Sequence, residues 1–154
     1  MSQNGYYVPY DSETGSGGYW AKTIIQADIG NTVTSIGEYA FGGGSGLTSV
    51  TMPNSVTSIG IEAFVDCSSL ISVTIPDKVT SIGYDAFTGC SGLTSMTIPT
   101  SVTSIGWHAF ADCIGLTNVT FFGKTLEQVQ NIEDGEGNKE YPWGIEDTSI
   151  ITVA

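Results

Sequence analysis

The chain of 154 residues contains three cysteines, which are its strongest potential nucleophiles and metal ligands. Cys67, Cys90 and Cys113 follow one another at a constant spacing of 23 residues. On adjacent strands they would lie ~4.7–4.9 Å apart, whereas a disulfide needs Cβ atoms within ~3.5–4.5 Å and a specific dihedral angle. A metal ion would need ligands that converge on one point rather than a ladder. We therefore predict three buried free thiols that behave as small apolar side chains.

His108 is the only histidine of the chain and therefore the first candidate for a general base. The residues that stand 23, 46 and 69 positions before it are Asp85, Glu62 and Tyr39, so this position of the repeating pattern is variable. A catalytic dyad or triad would place the imidazole beside a nucleophile, whereas such variability is typical of an exposed position. We predict a surface histidine.

Pairs of carboxylates, which carry out glycoside hydrolysis, are a second candidate for catalysis. Asp66 and Asp112 stand 46 residues apart, and two strand spacings would separate them by about 10 Å. Nothing in the residues around them implies a pocket. We therefore predict that the protein is not an enzyme and uses no cofactor. The carboxylates considered for such a pair are Glu62, Asp66, Asp85 and Asp112.

An acidic segment at 133–138, Glu-Asp-Gly-Glu-Gly-Asn, has alternating oxygen-bearing side chains, as a calcium loop does. A calcium loop also has a glycine at its sixth position, where this chain has Lys139, and a glutamate at its twelfth, where it has Ile145. We therefore predict a solvated acidic loop that binds no metal.

The charge balance excludes several classes of partner. Acidic residues outnumber basic ones 16 to 4, the formal net charge is -12, and there is no arginine. This balance disfavours nucleic acids and nucleotide phosphates, which need basic side chains, and anionic membrane surfaces for the same reason. No apolar segment approaches the ~18 residues of a membrane helix, and no signal peptide is visible at the N-terminus. We expect neither nucleic-acid binding nor membrane insertion.

A 23-residue repeat dominates the sequence and must position all of these side chains. A unit of this length cannot bury its own apolar residues, so the units must stack into one continuous core, as in a solenoid. We call each unit a row and predict full rows at 24–46, 47–69, 70–92 and 93–115, with a closing strand at 116–122. The recurring columns include Val33, Val56, Val79 and Val102; Ile36, Ile59, Ile82 and Ile105; Gly37, Gly60, Gly83 and Gly106; Ala40, Ala63, Ala86 and Ala109; Phe41, Phe64, Phe87 and Phe110; and Leu47, Leu70, Leu93 and Leu116.

Each row is predicted to contain two short strands and a tight turn. In the segment Leu-x-x-Val-Thr-Ile-Pro, apolar Val50 and Met52 alternate with hydroxylated Ser49 and Thr51, which indicates a half-buried strand. The proline ends this strand because it cannot donate a hydrogen bond to the ladder. The segment Val-Thr-Ser-Ile-Gly predicts a second extended stretch, and x-x-Ala-Phe predicts a turn, or one helical turn, that inserts the phenylalanine into the core.

Both ends of the chain depart from the repeat. Residues 1–23 mix glycine with five aromatic residues, and we predict either a cap over the first row or an arm that docks on a partner subunit or a larger particle. Residues 123–154 are predicted to form a C-terminal cap over the last row, with a short helix at 124–132 and a final strand at 148–153. The aromatic residues of the docking arm are Tyr6, Tyr7, Tyr10, Tyr19 and Trp20.

The row Val-Thr-Ser-Ile-Gly-x-x-Ala-Phe-x-x-Cys-x-x-Leu-x-x-Val-Thr-Ile-Pro resembles the BspA-type leucine-rich repeat, most clearly at 56–76 and 79–99. The tail Gly-Lys-Thr-Leu-Glu-Gln-Val-Gln, followed by Tyr-Pro-Trp-Gly-Ile, is similar to the endings of such proteins encoded by gut bacteria and their phages. The resemblance implies a β-rich, right-handed leucine-rich-repeat solenoid of about four rows at 24–122, with an N-terminal arm and a small α/β C-terminal cap. It also implies adhesion or receptor binding, often at a cell surface, and it supplies no catalytic residues.

Two surfaces of such a solenoid are candidate binding sites. Ser49 and Thr51 begin a ladder of hydroxyl groups, which we predict to be a solvated sheet face, with binding of sugars or ordered water as alternatives. The second surface is a pair of columns that vary while the rest of the row stays nearly constant, so the core does not dictate them. Trp and Tyr in such positions are typical of interface anchors. This variable stripe comprises Glu38, Tyr39, Ile61, Glu62, Tyr84, Asp85, Trp107 and His108.

These observations predict a non-catalytic binding or adhesion module that recognises a host or receptor protein, or a glycan, at a cell surface or outside the cell. The alternative hypothesis is a structural protein of a phage virion: a capsid decoration protein, a head fibre or a tail fibre subunit. Residues 1–23 would then dock the subunit on the virion or on further copies of itself, and the missing signal peptide fits this hypothesis.

Overall fold

The computed structural model describes residues 24–139 and 141–154, which form a stack of parallel coils. The predicted N-terminal arm at 1–23 lies outside the described residues. Equivalent strand residues such as Ser49 and Ser72 pair directly, one repeat length apart. The β-rich solenoid of about four rows, which the sequence predicts, is confirmed.

Within the described ranges, the strands form two parallel sheets on different sides of the coil. One sheet has six strands in the order β1-β3-β5-β7-β9-β10, and the other has four in the order β2-β4-β6-β8. The predicted Leu-x-x-Val-Thr-Ile-Pro strands build the first sheet, and the predicted Val-Thr-Ser-Ile-Gly strands build the second. In chain order the strands are β1 Gln26–Asp28, β2 Ser35–Ile36, β3 Ser49–Thr51, β4 Ser58–Ile59, β5 Ser72–Thr74, β6 Ser81–Ile82, β7 Ser95–Ile98, β8 Ser104–Ile105, β9 Asn118–Phe121 and β10 Ile151–Val153.

Hydrogen bonds between rows continue through the turns that follow the four-stranded sheet. The backbone N–H of Phe64 donates to the carbonyl oxygen of Ala86 at 2.8 Å, and the N–H of Phe87 donates to that of Ala109 at 2.9 Å. The predicted turn at x-x-Ala-Phe is therefore bonded through its backbone to the equivalent turn of the next row. It places the phenylalanine side chain inside the coil, where Phe64 and Phe87 are fully buried.

The core consists of the repeated apolar columns, and each row contributes one layer. Phe41, Phe64 and Phe87 stack face to face with successive ring centroids 5.1 Å apart, and Phe110 follows at 6.0 Å. The valine, isoleucine, alanine and leucine columns of the second and third rows are also buried. Because each row covers the apolar face of the row before it, the core is continuous from one end to the other.

The C-terminal region contains the predicted helix and a shorter strand than predicted. The helix, α1 at Leu126–Gln130, begins with a capping box in which the side chains of Thr125 and Gln128 each accept a hydrogen bond from the backbone N–H of the other. Thr148–Ile150 is a 3-10 turn, because the Asp147 side chain accepts a hydrogen bond from the N–H of Ser149. Only Ile151–Val153 pairs with β9. None of the helices in the described ranges is long and apolar enough to span a membrane.

The same region completes an irregular fifth row, although its sequence does not follow the repeat. The carbonyl oxygen of Glu133 accepts a hydrogen bond from the N–H of Ile105 at 3.1 Å, and that of Trp143 accepts one from Phe110 at 3.0 Å. Strand β10 adds a third contact by pairing with β9, the closing strand. The tail thereby covers the last layer at three separate points of the coil.

Candidate functional site

The cysteine column lies inside the core, and its thiols are poorly reactive. Cys67 and Cys90 are fully buried, Cys113 is 9% exposed, and all three are free thiols, as predicted. Each Sγ donates a hydrogen bond of 3.1–3.2 Å to the backbone carbonyl of the preceding row's phenylalanine. Burial raises the pKa of Cys67 and of Cys113 to about 12. Burial, with a smaller contribution from the neighbouring thiols, also raises the pKa of Cys90. The thiolate form that nucleophilic chemistry needs is therefore disfavoured.

His108 lies at the turn of the fourth row with 43% of its side chain exposed. Its ring stacks on the indole of Trp107, with centroids 3.7 Å apart, and its Nδ1 lies 4.0 Å from an oxygen of Asp85. The Thr88 hydroxyl lies 3.0 Å from the same carboxylate oxygen and 2.7 Å from the His108 carbonyl oxygen. These contacts of Thr88 go to a carboxylate and to the backbone, not to the ring. The Thr88 hydroxyl thus contacts the backbone of the turn that carries His108, and the Trp107 ring stacks on the imidazole of that residue.

The first column of the variable stripe faces outward for most of its length. Glu38 is exposed, Ile61 is 41% exposed and Trp107 is 52% exposed, whereas Tyr84 is half-buried. Ile61 and Trp107 stand two rows apart, which corresponds to about 10 Å at the usual strand spacing. The stripe therefore presents two large apolar side chains on one line of the surface.

The second column of the stripe has the same backbone conformation in every row. Tyr39, Glu62, Asp85 and His108 all have a φ angle between 51° and 54°, which is the left-handed region, and all four are half-buried. Non-glycine residues rarely adopt this conformation, so the turn imposes it on each of them. The backbone of the stripe is thus fixed while its side chains differ from row to row.

Two tyrosines of the stripe hold the scaffold together. The hydroxyl of Tyr39 donates a hydrogen bond of 2.7 Å to Glu62 in the next row. The hydroxyl of Tyr84 donates one of 3.0 Å to Asp134, which belongs to the tail. The sequence does not predict these partners, because the stripe columns carry no repeated hydrogen-bonding pair.

Asp134 corrects the prediction of a solvated acidic loop. Its side chain is buried, with 6% of the residue exposed, and it accepts hydrogen bonds from the side chain of Asn138 at 2.9 Å and from the N–H groups of Glu136 and Asn138 at 2.8 Å each. These bonds, the Asn138 side chain first, lower the pKa of Asp134 to about 2. The neighbouring Glu133 and Glu136 are exposed, as predicted. Across 24–139 and 141–154, no group of three or more His, Cys, Asp or Glu side chains is placed to hold a metal ion.

The hydroxyl ladder lies on the outer face of the six-stranded sheet, as the alternation predicts. Thr51, Thr74 and Thr97 are exposed. Thr120 continues the ladder, and its hydroxyl lies 3.1 Å from that of Thr152 on β10, which adds a rung that the sequence analysis did not include. The face is hydroxylated, and its residues suit a solvated sheet.

Comparison with known proteins decides the family. The model of the BspA type leucine rich repeat region matches residues 14–133 in six copies. The chain belongs to the BspA-type leucine-rich repeat family. The resemblance carried by the repeated columns is therefore confirmed. Leucine-rich repeat proteins are generally non-catalytic binding modules, and their fold suggests protein–protein interaction in general.

Crystal structures of bacterial leucine-rich repeat proteins resemble this BspA-type chain. The protein from Bacteroides ovatus is 40% identical, with a TM-score of 0.62, over 64% of this chain and 26% of its own. The T. pallidum protein is 26% identical, with a TM-score of 0.64, over 86% of this chain and 61% of its own. The Bacteroides capillosus protein is 32% identical, with a TM-score of 0.55, over 64% of this chain and 77% of its own. The chain thus spans less than two thirds of the first two. No curated protein matches it significantly.

A cleft that the sequence analysis did not predict lies at the C-terminal end of this BspA-type solenoid. It has a volume of about 250 Å³ and lies between the turn of the fourth row and the tail segment that follows Trp143. Asp112, a member of the candidate carboxylate pair, is one of its lining residues. Asp66 and Asp112 are both exposed with left-handed φ angles, but they stand two rows apart. The available signal in the sequence was Ile114, an apolar residue in a column that otherwise contains serine.

Proposed function

We propose that this BspA-type chain is a non-catalytic binding module that recognises a receptor protein through the variable stripe. The observation that carries the proposal is Trp107, a large aromatic side chain that is 52% exposed and yet held against His108. Trp is the residue type most enriched at the energetic centres of protein interfaces. An anchor that is already ordered loses little conformational entropy when a partner covers it.

The surroundings of Trp107 support a protein partner. Ile61 is a second exposed apolar residue in the same column, and the carboxylates of Glu38, Glu62 and Asp85 lie in the same stripe. Apolar anchors that are flanked by charges match the usual arrangement of a hot spot inside a polar rim. The partner surface expected from this arrangement has an apolar pocket and lysine or arginine side chains around it.

The predicted role of residues 1–23 as an arm that docks on a virion or on another subunit stays a prediction, since these residues lie outside the described part of the chain. The variable stripe does not depend on that arm. Receptor binding through the stripe is therefore compatible with a free module and with a subunit of a larger particle.

The experiment is a binding screen of the full chain against arrays of extracellular proteins and of glycans. Each interaction found is then measured with Trp107→Ala and Ile61→Ser, and with Ile71→Ser as the matched control, because Ile71 is 56% exposed on a different surface, before β5. We expect the stripe variants to weaken binding at least about tenfold and the control to leave it unchanged. Circular dichroism checks that all three variants fold.

Two outcomes would contradict this proposal. Binding that survives both stripe substitutions at full strength would move the site elsewhere on the solenoid. A ligand found only among the glycans, and lost in Trp107→Ala, would keep the stripe as the site but replace the protein partner by a sugar that stacks on the indole.

A further inference from the structure

The C-terminal cleft exists because the tail covers the last row incompletely. Cys67, Leu70, Cys90 and Leu93 are fully buried, because a further repeat unit covers each of them. The tail covers Phe110 with Trp143 and covers β9 with β10, but between these two contacts it leaves a gap. The next members of these two columns, Cys113 near the end of the fourth row and Leu116 at the start of the closing strand, are each 9% exposed and line that gap.

Ile114 stands at the rim of the cleft. At this position the fourth row, which lines the cleft, departs from the repeat. The equivalent residues of the other rows are Ser45, Ser68 and Ser91. Ile114 is 86% exposed, so the core does not require an apolar residue here. Together with the buried Ile145 and the half-buried Ile150, it gives the cleft an apolar wall.

Three acidic side chains also line the cleft. Asp112, Glu146 and Asp147 line it, and all three are exposed. None of the lysines in the described ranges is among its lining residues. An aliphatic wall beside three carboxylates complements a long side chain that has an apolar stem and a cationic head.

We propose that this cleft binds a lysine or arginine side chain, with an adjoining aliphatic residue, from a basic segment of a partner protein. The stem of the basic residue packs on Ile114, and its charged head binds the carboxylates of Asp112 and Glu146. The volume of about 250 Å³ is below the ~300–1,000 Å³ of pockets for drug-sized ligands, so it suits one or two side chains rather than a whole small molecule. This site lies at the end of the solenoid and does not depend on the function proposed for the variable stripe.

The first test is a titration of the full, ¹⁵N-labelled chain with the blocked peptide acetyl-Gly-Leu-Lys-Leu-Gly-amide, followed by NMR. We expect saturable shifts of the backbone signals of Ile114, Ile145 and Glu146, with a dissociation constant in the millimolar range. A peptide with glutamine in place of lysine should bind about fivefold more weakly, because it lacks the charge. Equal binding of the two peptides, or no saturable shift at these residues, would overturn the proposal.

Variants separate this site from general attraction to an acidic protein. Asp112→Asn with Glu146→Gln should weaken the lysine peptide about fivefold or more. Asp66→Asn is the matched control, because Asp66 occupies the same exposed, left-handed turn position two rows away from the cleft. Ile114→Ser restores the residue of the other rows, so it should remove the most exposed part of the apolar wall without disturbing the fold. A loss of the same size in Asp66→Asn, or no loss in Ile114→Ser, would refute the cleft as the binding site.

Discussion

The indole ring of Trp143 meets the phenyl ring of Phe110 edge-on, with centroids 6.4 Å apart and an interplanar angle of 85°. This contact ends the face-to-face stack of phenylalanines that runs through the rows. Trp143 is fully buried, and its ring also lies 5.5 Å from that of Phe121 and 5.4 Å from that of Tyr141. Edge-to-face pairs are favourable because the positive edge of one ring meets the negative face of the other. One residue of the tail thus closes the core.

Trp143→Ala should therefore destabilise the protein strongly. Removing a fully buried aromatic side chain typically costs about 3–5 kcal/mol, because burial is lost and a cavity is left behind. We expect a loss of this size in the free energy of unfolding measured in urea. Trp107→Ala is the control, since Trp107 is half-exposed and should change that free energy by less than about 1 kcal/mol. Equal losses in the two variants would contradict the assignment of Trp143 as the residue that closes the core.

The stability of the protein should depend on pH through Asp134. Its pKa in the folded protein is about 2, below the ordinary value of 3.8, chiefly because the Asn138 side chain donates to the carboxylate. The folded state thus binds this proton less readily than the unfolded chain. The stabilisation that the ionised Asp134 carboxylate contributes is complete above about pH 4 and is lost as the pH falls from about 4 to about 2.

The measurement is the free energy of unfolding between about pH 2 and 5, for the wild type and for Asp134→Asn. The free energy of unfolding of the variant should decline less toward low pH than that of the wild type. Asp147, whose pKa is lowered by its bonds with Ser149, keeps its own contribution in both proteins. Asp77→Asn is the control, since Asp77 is exposed after β5, and it should retain the Asp134 contribution. An unchanged pH dependence in Asp134→Asn would show that the carboxylate does not anchor the tail.

The repeat predicted the rows well because each inner row packs on a copy of itself. Phe64 and Phe87 could be assigned to the core from their spacing alone, because a column that is buried in one row is also buried in the neighbouring rows. The tail has no such copy. Trp143 and Asp134 contact Phe110 and Tyr84 through unique pairs of residues, which no period in the sequence can reveal.

The repeat also indicates part of the candidate site, but not its backbone conformation or the cleft. Variation between rows predicts the stripe, and Ile61 and Trp107 are exposed in the structure, while the role of the stripe in binding stays a prediction. The shared left-handed backbone at Glu62 and its equivalents was not foreseen, because it is imposed by the turn and not by any residue type. The cleft beside Ile114 exists because the tail leaves part of the last layer uncovered. It could not be predicted, because it depends on how the tail packs on a repeat of different sequence.

The cysteines should react slowly in the native protein and in a defined order. Alkylation needs the thiolate, and the raised pKa of each thiol makes that form scarce at about pH 8. We expect iodoacetamide to modify Cys113 first, because it is 9% exposed in the cleft, whereas Cys67 and Cys90 are fully buried. Mass spectrometry of digested samples gives the order, and a sample in denaturant is the control in which all three react quickly. Modification of Cys90 before Cys113 would contradict the burial pattern.

The glycine that follows each strand of the four-stranded sheet should tolerate alanine in the first row only. A Cβ atom at Gly83 would lie 2.6 Å from the carbonyl carbon of Gly60 in the row before it, whereas within the described residues a Cβ at Gly37 meets nothing within 4 Å. Gly83→Ala should therefore destabilise the solenoid by about 1–3 kcal/mol, as overpacking does, and Gly37→Ala should change its stability by less than about 1 kcal/mol. Urea unfolding of both variants measures the difference. Similar losses would show that the glycine is needed for something other than the close approach of one row to the next.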